Sequence, residues 1–133
     1  MINDAELAKW APRVLSILRI MVALLFMQHG LSKHFGWPGS APQGFSAMSL
    51  AGLAGTMEII GGALLALGLF TRVTAFIVSG EMAFAYFISH AGSSFFPYNN
   101  RGSLAVLYCF VFLYIAVAGG GPWSVDATRN QSK

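Results

Sequence analysis

Four long apolar segments dominate this sequence and limit what the chain can fold into. They cover residues 14–31, 48–70, 73–89 and 104–118, each close to the roughly 20 residues that a helix needs to cross a bilayer. Their many helix-forming residues and the lack of strict alternation predict helices rather than the strands of a membrane barrel. We therefore predict an all-α integral membrane protein, a single four-span helix bundle over residues 1–133.

The small number of charged side chains supports this prediction. Only 10% of the residues are charged, against about 25% in an ordinary soluble domain. The basic residues are scattered singly, which is not typical of a nucleic-acid binder, so we expect the lipid bilayer and not nucleic acid as a partner. The single cysteine, Cys109, excludes an intrachain disulfide, a thiolate zinc site and an iron–sulfur cluster, and we expect no metal site.

The distribution of basic residues predicts the orientation. With four spans, both termini and the turn around residue 72 lie on one side, and the two long loops lie on the other. The first side carries Lys9, Arg13, Arg72, Arg129 and Lys133, and the second carries Lys33 and Arg101. The positive-inside rule then predicts that both termini are cytoplasmic.

Three ionisable side chains fall inside the predicted spans: Arg19, Glu58 and Glu81. Each would cost at least about 2.5–3.5 kcal/mol as a lone charge in the bilayer centre. Their complementary signs predict that Arg19 pairs with Glu58 and with Glu81. Such a cluster could be a structural ion pair that fixes the helix register. It could equally be catalytic, as a proton relay or a ligand clamp, and the sequence leaves both interpretations open.

Small residues flank Glu58 along one stripe of its helix. Ala51, Gly55, Glu58, Gly62 and Ala66 share that stripe at helical spacing. Small side chains let a second backbone approach closely within a membrane. The pattern therefore predicts that Glu58 faces another helix and not lipid.

Polar and aromatic side chains nearer the long loops are the candidate ligand-binding residues: His29, Lys33, Trp37, Tyr86 and His90. The two histidines could ligate a haem or transfer protons, but hydrogen bonding to loop carbonyls is the more ordinary interpretation. We predict a pocket for a flat, weakly polar molecule, with these residues as walls above a floor of Arg19, Glu58 and Glu81.

Short motifs follow one another in a distinctive order along residues 13–127. After Arg19 come Gly30–Lys33, Met57–Gly62, Leu67–Arg72, Gly80–Phe87 with His90, Phe95–Pro97 and Gly121–Asp126. Together they resemble the DoxX family of small four-helix membrane proteins. The resemblance implies a multi-pass protein of the bacterial inner membrane with a link to redox biology. One motif differs: the chain has Asn100-Arg101-Gly102-Ser103 where the family has Asn-Gly-Gly-Glu, so any role of that carboxylate does not carry over.

Three function classes follow from these observations. The resemblance favours a membrane subunit of a redox system that handles a quinone-like small molecule, possessing or supporting a quinone-linked oxidoreductase activity. The alternatives are an oligomeric small-molecule transporter or channel, and a structural partner of another membrane-associated protein. A chain this short would need a second copy or a partner protein in each case. We therefore expect a homo-oligomer or a partner protein, with quinone rather than haem as the bound molecule.

Overall fold

A computed structural model describes residues 1–132. Its secondary structure in that range consists of helices joined by loops, with no strand. The helices are α1 (Asp4–Phe35), α2 (Leu50–Leu67), α3 (Thr71–Ser89), α4 (Pro97–Asn100), α5 (Ser103–Ala118) and α6 (Val125–Gln131). The prediction of an all-α protein is confirmed.

Helix α1 extends well beyond the apolar segment that predicts it. The Asn3 side chain caps its first turn by accepting a hydrogen bond from the Glu6 N–H at 2.9 Å. The helix ends at Gly36, whose left-handed backbone (φ 66°) stops it. Residues 4–13, which precede the apolar segment, therefore belong to the helix. Helix α2 ends in the same way at Gly68, with φ 70°, three residues earlier than its apolar run suggests.

Glycines allow α1 and α2 to pack closely along their lengths. A Cβ added to Gly30 of α1 would overlap the Gly55 carbonyl oxygen, and one added to Gly62 would lie 2.7 Å from Met27 Cβ. Residue numbers therefore run in opposite directions along the two helices, which makes the pair antiparallel. The predicted close contact along the small stripe of α2 is present, with α1 as the facing helix.

A second helix pair completes the core. Helix α3 packs along α5, and contacts of α2 with α3 and of α1 with α5 join the two pairs. Aromatic rings fill the space between them. Phe26 of α1 meets Tyr108 and Phe112 of α5 edge-on, with ring centroids 5.5 and 4.9 Å apart.

Side chains from distant parts of the chain cap the helix ends opposite the long loops. Arg72 donates to the Ala116 and Val117 carbonyls at the end of α5. Asp126 of α6 accepts from the N–H groups of Phe70 and Thr71 at 3.0 and 2.8 Å, where α3 begins. A cation at a helix C-terminus and an anion at an N-terminus both oppose the helix dipole favourably.

These contacts also alter the acidity of Asp126. Its partial burial would raise the pKa of the carboxyl group. The hydrogen bonds from Thr71 and Phe70 and the nearby charge of Arg129 act the other way and hold the pKa of Asp126 below its ordinary value. The folded state therefore favours the ionised carboxylate.

The outer surface of the helices is apolar. Helices α1 and α2 are each long and apolar enough to cross a membrane, and α5 is a shorter apolar helix. Many large apolar side chains point outward, among them Ile17, Leu25, Ile60, Phe76 and Phe110. A continuous apolar surface of this kind would aggregate in water, whereas a bilayer covers it.

Candidate functional site

A buried ion pair lies where α1, α2 and α3 meet. Lys33 Nζ donates to both carboxylate oxygens of Glu58, at 2.7 and 2.9 Å. The Glu58 side chain is only 5% exposed, while that of Lys33 is 26% exposed. Gly55 lies beside the lysine stem, since a Cβ at this position would be 3.2 Å from Lys33 Cδ. The lysine stem therefore crosses α2 at a glycine and carries its ammonium group to Glu58.

The structure corrects the predicted Arg19 cluster, because Arg19 binds neither Glu58 nor Glu81. Its guanidinium group is fully buried and donates to backbone carbonyl oxygens instead. The acceptors are Gly120 at 2.8 Å, Leu65 at 2.6 Å, Ala66 at 2.7 Å and Trp123. Four carbonyls replace the carboxylate partner that the charge pattern suggested, and the cation caps the C-terminal end of α2.

The register of the antiparallel helices explains this error. Counting residues inward from the ends of the apolar segments places Arg19 at a depth similar to that of Glu58. Helix α1, however, is longer than its apolar segment and spans Asp4–Phe35. Gly30 is the residue of α1 level with Glu58, and Lys33, about 21 Å beyond Arg19 along α1 at 1.5 Å per residue, reaches Glu58 through its side chain. Arg19 is level with the last turn of α2, at the opposite end of the molecule, so it is not part of the floor of a pocket near the loops.

A cavity of about 340 Å³, here called the outer cavity, lies on one side of the Lys33–Glu58 pair. It sits between α1, α3 and α5, at the end of the molecule that carries the long loops. Polar side chains in its lining are His29, Lys33, Glu58, Ser89, His90, Arg101 and Tyr108, and apolar ones include Phe26, Met82 and Leu104. Four of the predicted site residues, His29, Lys33, Glu58 and His90, therefore share one cavity.

A hydrogen bond to the loop before α5 determines which ring nitrogen of His90 carries hydrogen. Its Nδ1 lies 3.0 Å from the Asn100 carbonyl oxygen. Because a carbonyl oxygen only accepts, Nδ1 is the donor and carries hydrogen. Within residues 1–132, the ring makes no other hydrogen bond. In the neutral imidazole, Nε2 is then the nitrogen that can take up a proton.

Asn100 and Tyr86 hold this loop in place. The buried Asn100 amide donates to the Tyr86 hydroxyl and to the Ser94 carbonyl, each at 3.0 Å. Its Oδ1 accepts from the Gly102 N–H at 2.8 Å. Tyr86 also stacks on His90, with ring centroids 6.4 Å apart. Tyr86 thus packs against the His90 ring. It is not in the lining of the outer cavity.

A second cavity, here called the lateral groove, is also lined by Lys33 and Glu58. It measures about 720 Å³ and runs between α2 and α3. Glu81 lines this groove and not the outer cavity. The other lining residues are mostly apolar: Leu50, Ala51, Leu53, Ala54, Met57, Phe84, Ala85 and Ile88, with Gly80 and Ser89. The residues expected around a single pocket are therefore distributed over two cavities, which share Lys33 and Glu58.

Several residues of these cavities differ from those the sequence indicated. Trp37 is 68% exposed in the first long loop and lines neither cavity. Tyr108 and Arg101 line the outer cavity as well. From the sequence, the aromatics around Tyr108 indicate packing residues, with walls of a slot for a flat ligand as the alternative, and Arg101 indicates only a loop cation. In the fold, the ring centroid of Tyr108 lies 6.0 Å from that of His29.

The family model for DoxX matches residues 14–91. The chain belongs to the DoxX family. This DoxX protein is 46% identical over 126 residues to an uncharacterized protein of Haemophilus influenzae, across 91% of this chain and 94% of that relative. No solved structure matches the chain. Family membership and the two long apolar helices make the chain a small helical membrane protein.

Proposed function

We propose that this DoxX protein binds a quinone-like molecule in the outer cavity and exchanges protons with it, as the membrane subunit of a redox system. The observation that carries the proposal is the set of hydrogen-bond donors around one cavity. Those donors are His29, Lys33, Arg101 and Tyr108, together with His90 when its Nε2 is protonated. The two carbonyl oxygens of a quinone only accept hydrogen bonds, so a lining rich in donors suits them.

The size and walls of the outer cavity also suit a flat ring. Its volume of about 340 Å³ falls within the roughly 300–1,000 Å³ typical of small-molecule sites. Phe26 and Leu104 supply apolar surface, and Tyr108 supplies a phenol whose ring stacks on Phe112 at 5.7 Å. Tyr108 is therefore held rigidly while its hydroxyl group is the polar part that meets the ligand.

Reduction of a quinone to a quinol adds two electrons and two protons. In our proposal the electrons come from a partner redox protein, and the cavity supplies the protons. His90 can carry one proton at Nε2. The Lys33 ammonium group holds a proton beside Glu58 and can donate it to a ligand oxygen. Proton transfer in this scheme needs no movement of a helix.

We also propose that the four long helices cross the bacterial inner membrane, with both termini in the cytoplasm. The end of the molecule that holds Arg72 and Arg129 carries more cations in total than the loop end with Lys33 and Arg101. The positive-inside rule places the richer end in the cytoplasm. The outer cavity would then lie in the outward half of the bilayer.

Titration with a fully substituted, water-soluble benzoquinone tests the binding site. Calorimetry on the full-length protein in a nonionic detergent should show saturable binding. Tyr108→Phe keeps the stacked ring and removes one donor, so it should weaken binding by about tenfold. His90→Ala should weaken binding as well, whereas Glu6→Gln, an exposed change distant from the cavity, should not. No saturable binding, or equal binding to all variants, would rule out the outer cavity as the site.

A further inference from the structure

Glu81 is an isolated carboxyl group in an apolar groove. Both of its carboxyl oxygens are shielded from solvent, and within residues 1–132 neither receives a hydrogen bond. A buried polar group without a partner is rare in folded proteins, and a buried charge without one is costly. The carboxyl group therefore has no partner among residues 1–132, and a cation that enters the groove can balance its charge.

The charges around the lateral groove do not balance. Lys33 already contacts both oxygens of Glu58, so this pair is neutral as a unit. An ionised Glu81 leaves one uncompensated negative charge on the groove. The walls around it are apolar, and Coulomb attraction is much stronger in such surroundings than in water.

The form of the site favours a diffuse positive charge over a compact one. An ammonium group needs direct hydrogen bonds to oxygens that it can reach, and the Glu81 oxygens are shielded. A quaternary or phosphonium cation needs no hydrogen bond and is attracted through space. Its apolar substituents would lie against Leu53, Met57 and Phe84, which are exposed to the surroundings on the groove wall.

We propose that the lateral groove is a binding site for a lipophilic organic cation, with the ligand charge placed against Glu81. Phe84 on the groove wall adds aromatic surface for the substituents of the cation. The groove shares Lys33, Glu58, Ala85 and Ser89 with the outer cavity, but Glu81, Met57 and Phe84 line the groove alone. Variants at Glu81 and Phe84 therefore test this site separately from the quinone site.

Tetraphenylphosphonium is the probe, and triphenylphosphine oxide is its neutral comparator of similar shape. Calorimetric titration of the full-length protein in a nonionic detergent should give saturable binding of the cation and much weaker binding of the neutral compound. Glu81→Gln preserves the size of the side chain and removes the charge. It should lower the affinity for the cation by about tenfold or more, whereas Glu6→Gln should leave it unchanged.

Phe84→Ala provides a second variant on the groove wall. Phe84 is 56% exposed, so its removal leaves the core intact, and affinity for the cation should decrease. The proposal is overturned if tetraphenylphosphonium does not bind saturably, or if the neutral compound binds equally well. Equal affinity in Glu81→Gln and the unchanged protein overturns it too. Should Glu81→Gln not fold, unchanged affinity in Phe84→Ala overturns the proposal in its place.

Discussion

Two cations of α1 show how position decides the role of a buried charge. Arg19 is fully buried and directs its planar fork of donors to backbone carbonyls at a helix end. Lys33 is a point charge on a flexible stem and reaches a single carboxylate. The guanidinium group suits several acceptors at fixed angles, whereas the ammonium group suits an ion pair from which a proton can move. Only the second arrangement borders a cavity in which we propose that a ligand binds.

The Lys33–Glu58 pair gives a prediction about stability. Lys33→Met leaves the Glu58 carboxylate buried without its partner, and we expect the free energy of unfolding to decrease by about 2–3 kcal/mol, somewhat less than for a fully buried pair. Adding Glu58→Gln removes the isolated charge and should restore most of the loss. Thermal unfolding of the single and double variants in detergent measures this. A double variant less stable than Lys33→Met alone would contradict the pairing.

Arg19 provides the matched comparison for that experiment. Arg19→Met leaves the carbonyls of Leu65, Ala66 and Gly120 without their donor and should be strongly destabilising. Because Arg19 does not contact Glu58, adding Glu58→Gln to this variant should give no rescue. Rescue here would instead support the Arg19 cluster that the charge pattern suggests.

At the scale of the helices, apolar patterning is a good guide to the elements and a poor guide to their ends. Each of the four apolar runs coincides with a long helix, because a run of that length has no other stable conformation in a bilayer. The ends depend on local capping: Asn3 starts α1 in a polar region and Gly68 ends α2 early. Pairing between helices depends on these ends, which is why Arg19 could not be placed from its depth in a run.

Close packing of α1 on α2 gives the next prediction. A methyl group at Gly30 would overlap the Gly55 carbonyl oxygen, a backbone atom that cannot move aside. Gly30→Ala should therefore separate the helices and greatly lower the yield of folded protein. Gly80→Ala is the control, since nothing lies within 4 Å of its added methyl group. Size-exclusion profiles of the two variants should differ clearly, and equal yields would refute the close contact.

Asp126 makes the junction of α6 with α3 sensitive to acid. Its pKa is lower in the folded state than in the unfolded chain, so ionisation stabilises the fold. This contribution is complete above the unfolded pKa of about 3.9 and is lost as the pH falls through the lower, folded value. We expect Asp126→Asn to reduce the melting temperature at pH 7 and the difference to shrink towards pH 3. A difference independent of pH would contradict the capping role.

For the whole molecule, the notable feature is an ion pair that lines two different cavities. The outer cavity is lined by donors, and the lateral groove is lined by apolar side chains around Glu81. The residue types of the site could be predicted from the sequence, since Glu58, His29, Lys33 and His90 are polar groups near apolar runs. Their division between cavities could not, because it depends on the register of three helices. Asn100 likewise gave no signal, since its role exists only in the folded loop.

Orientation in the membrane can be tested by cysteine labelling. In a Cys109→Ala background, Ser40→Cys lies in the first long loop and Ser132→Cys lies after α6. A membrane-impermeant maleimide applied to intact spheroplasts should label position 40 alone, and position 132 only after lysis. Labelling of position 132 in intact spheroplasts would refute the proposed topology.

The most direct test of the proposed function is to ask what the protein carries from its own membrane. The full-length protein is purified in a mild nonionic detergent, and its lipid extract is analysed by mass spectrometry beside that of the Tyr108→Phe variant. We predict that a quinone is retained in near-stoichiometric amount by the unchanged protein and in smaller amount by the variant. A quinone content equal in both proteins, or no higher than that of an unrelated membrane protein purified in the same way, would contradict the account.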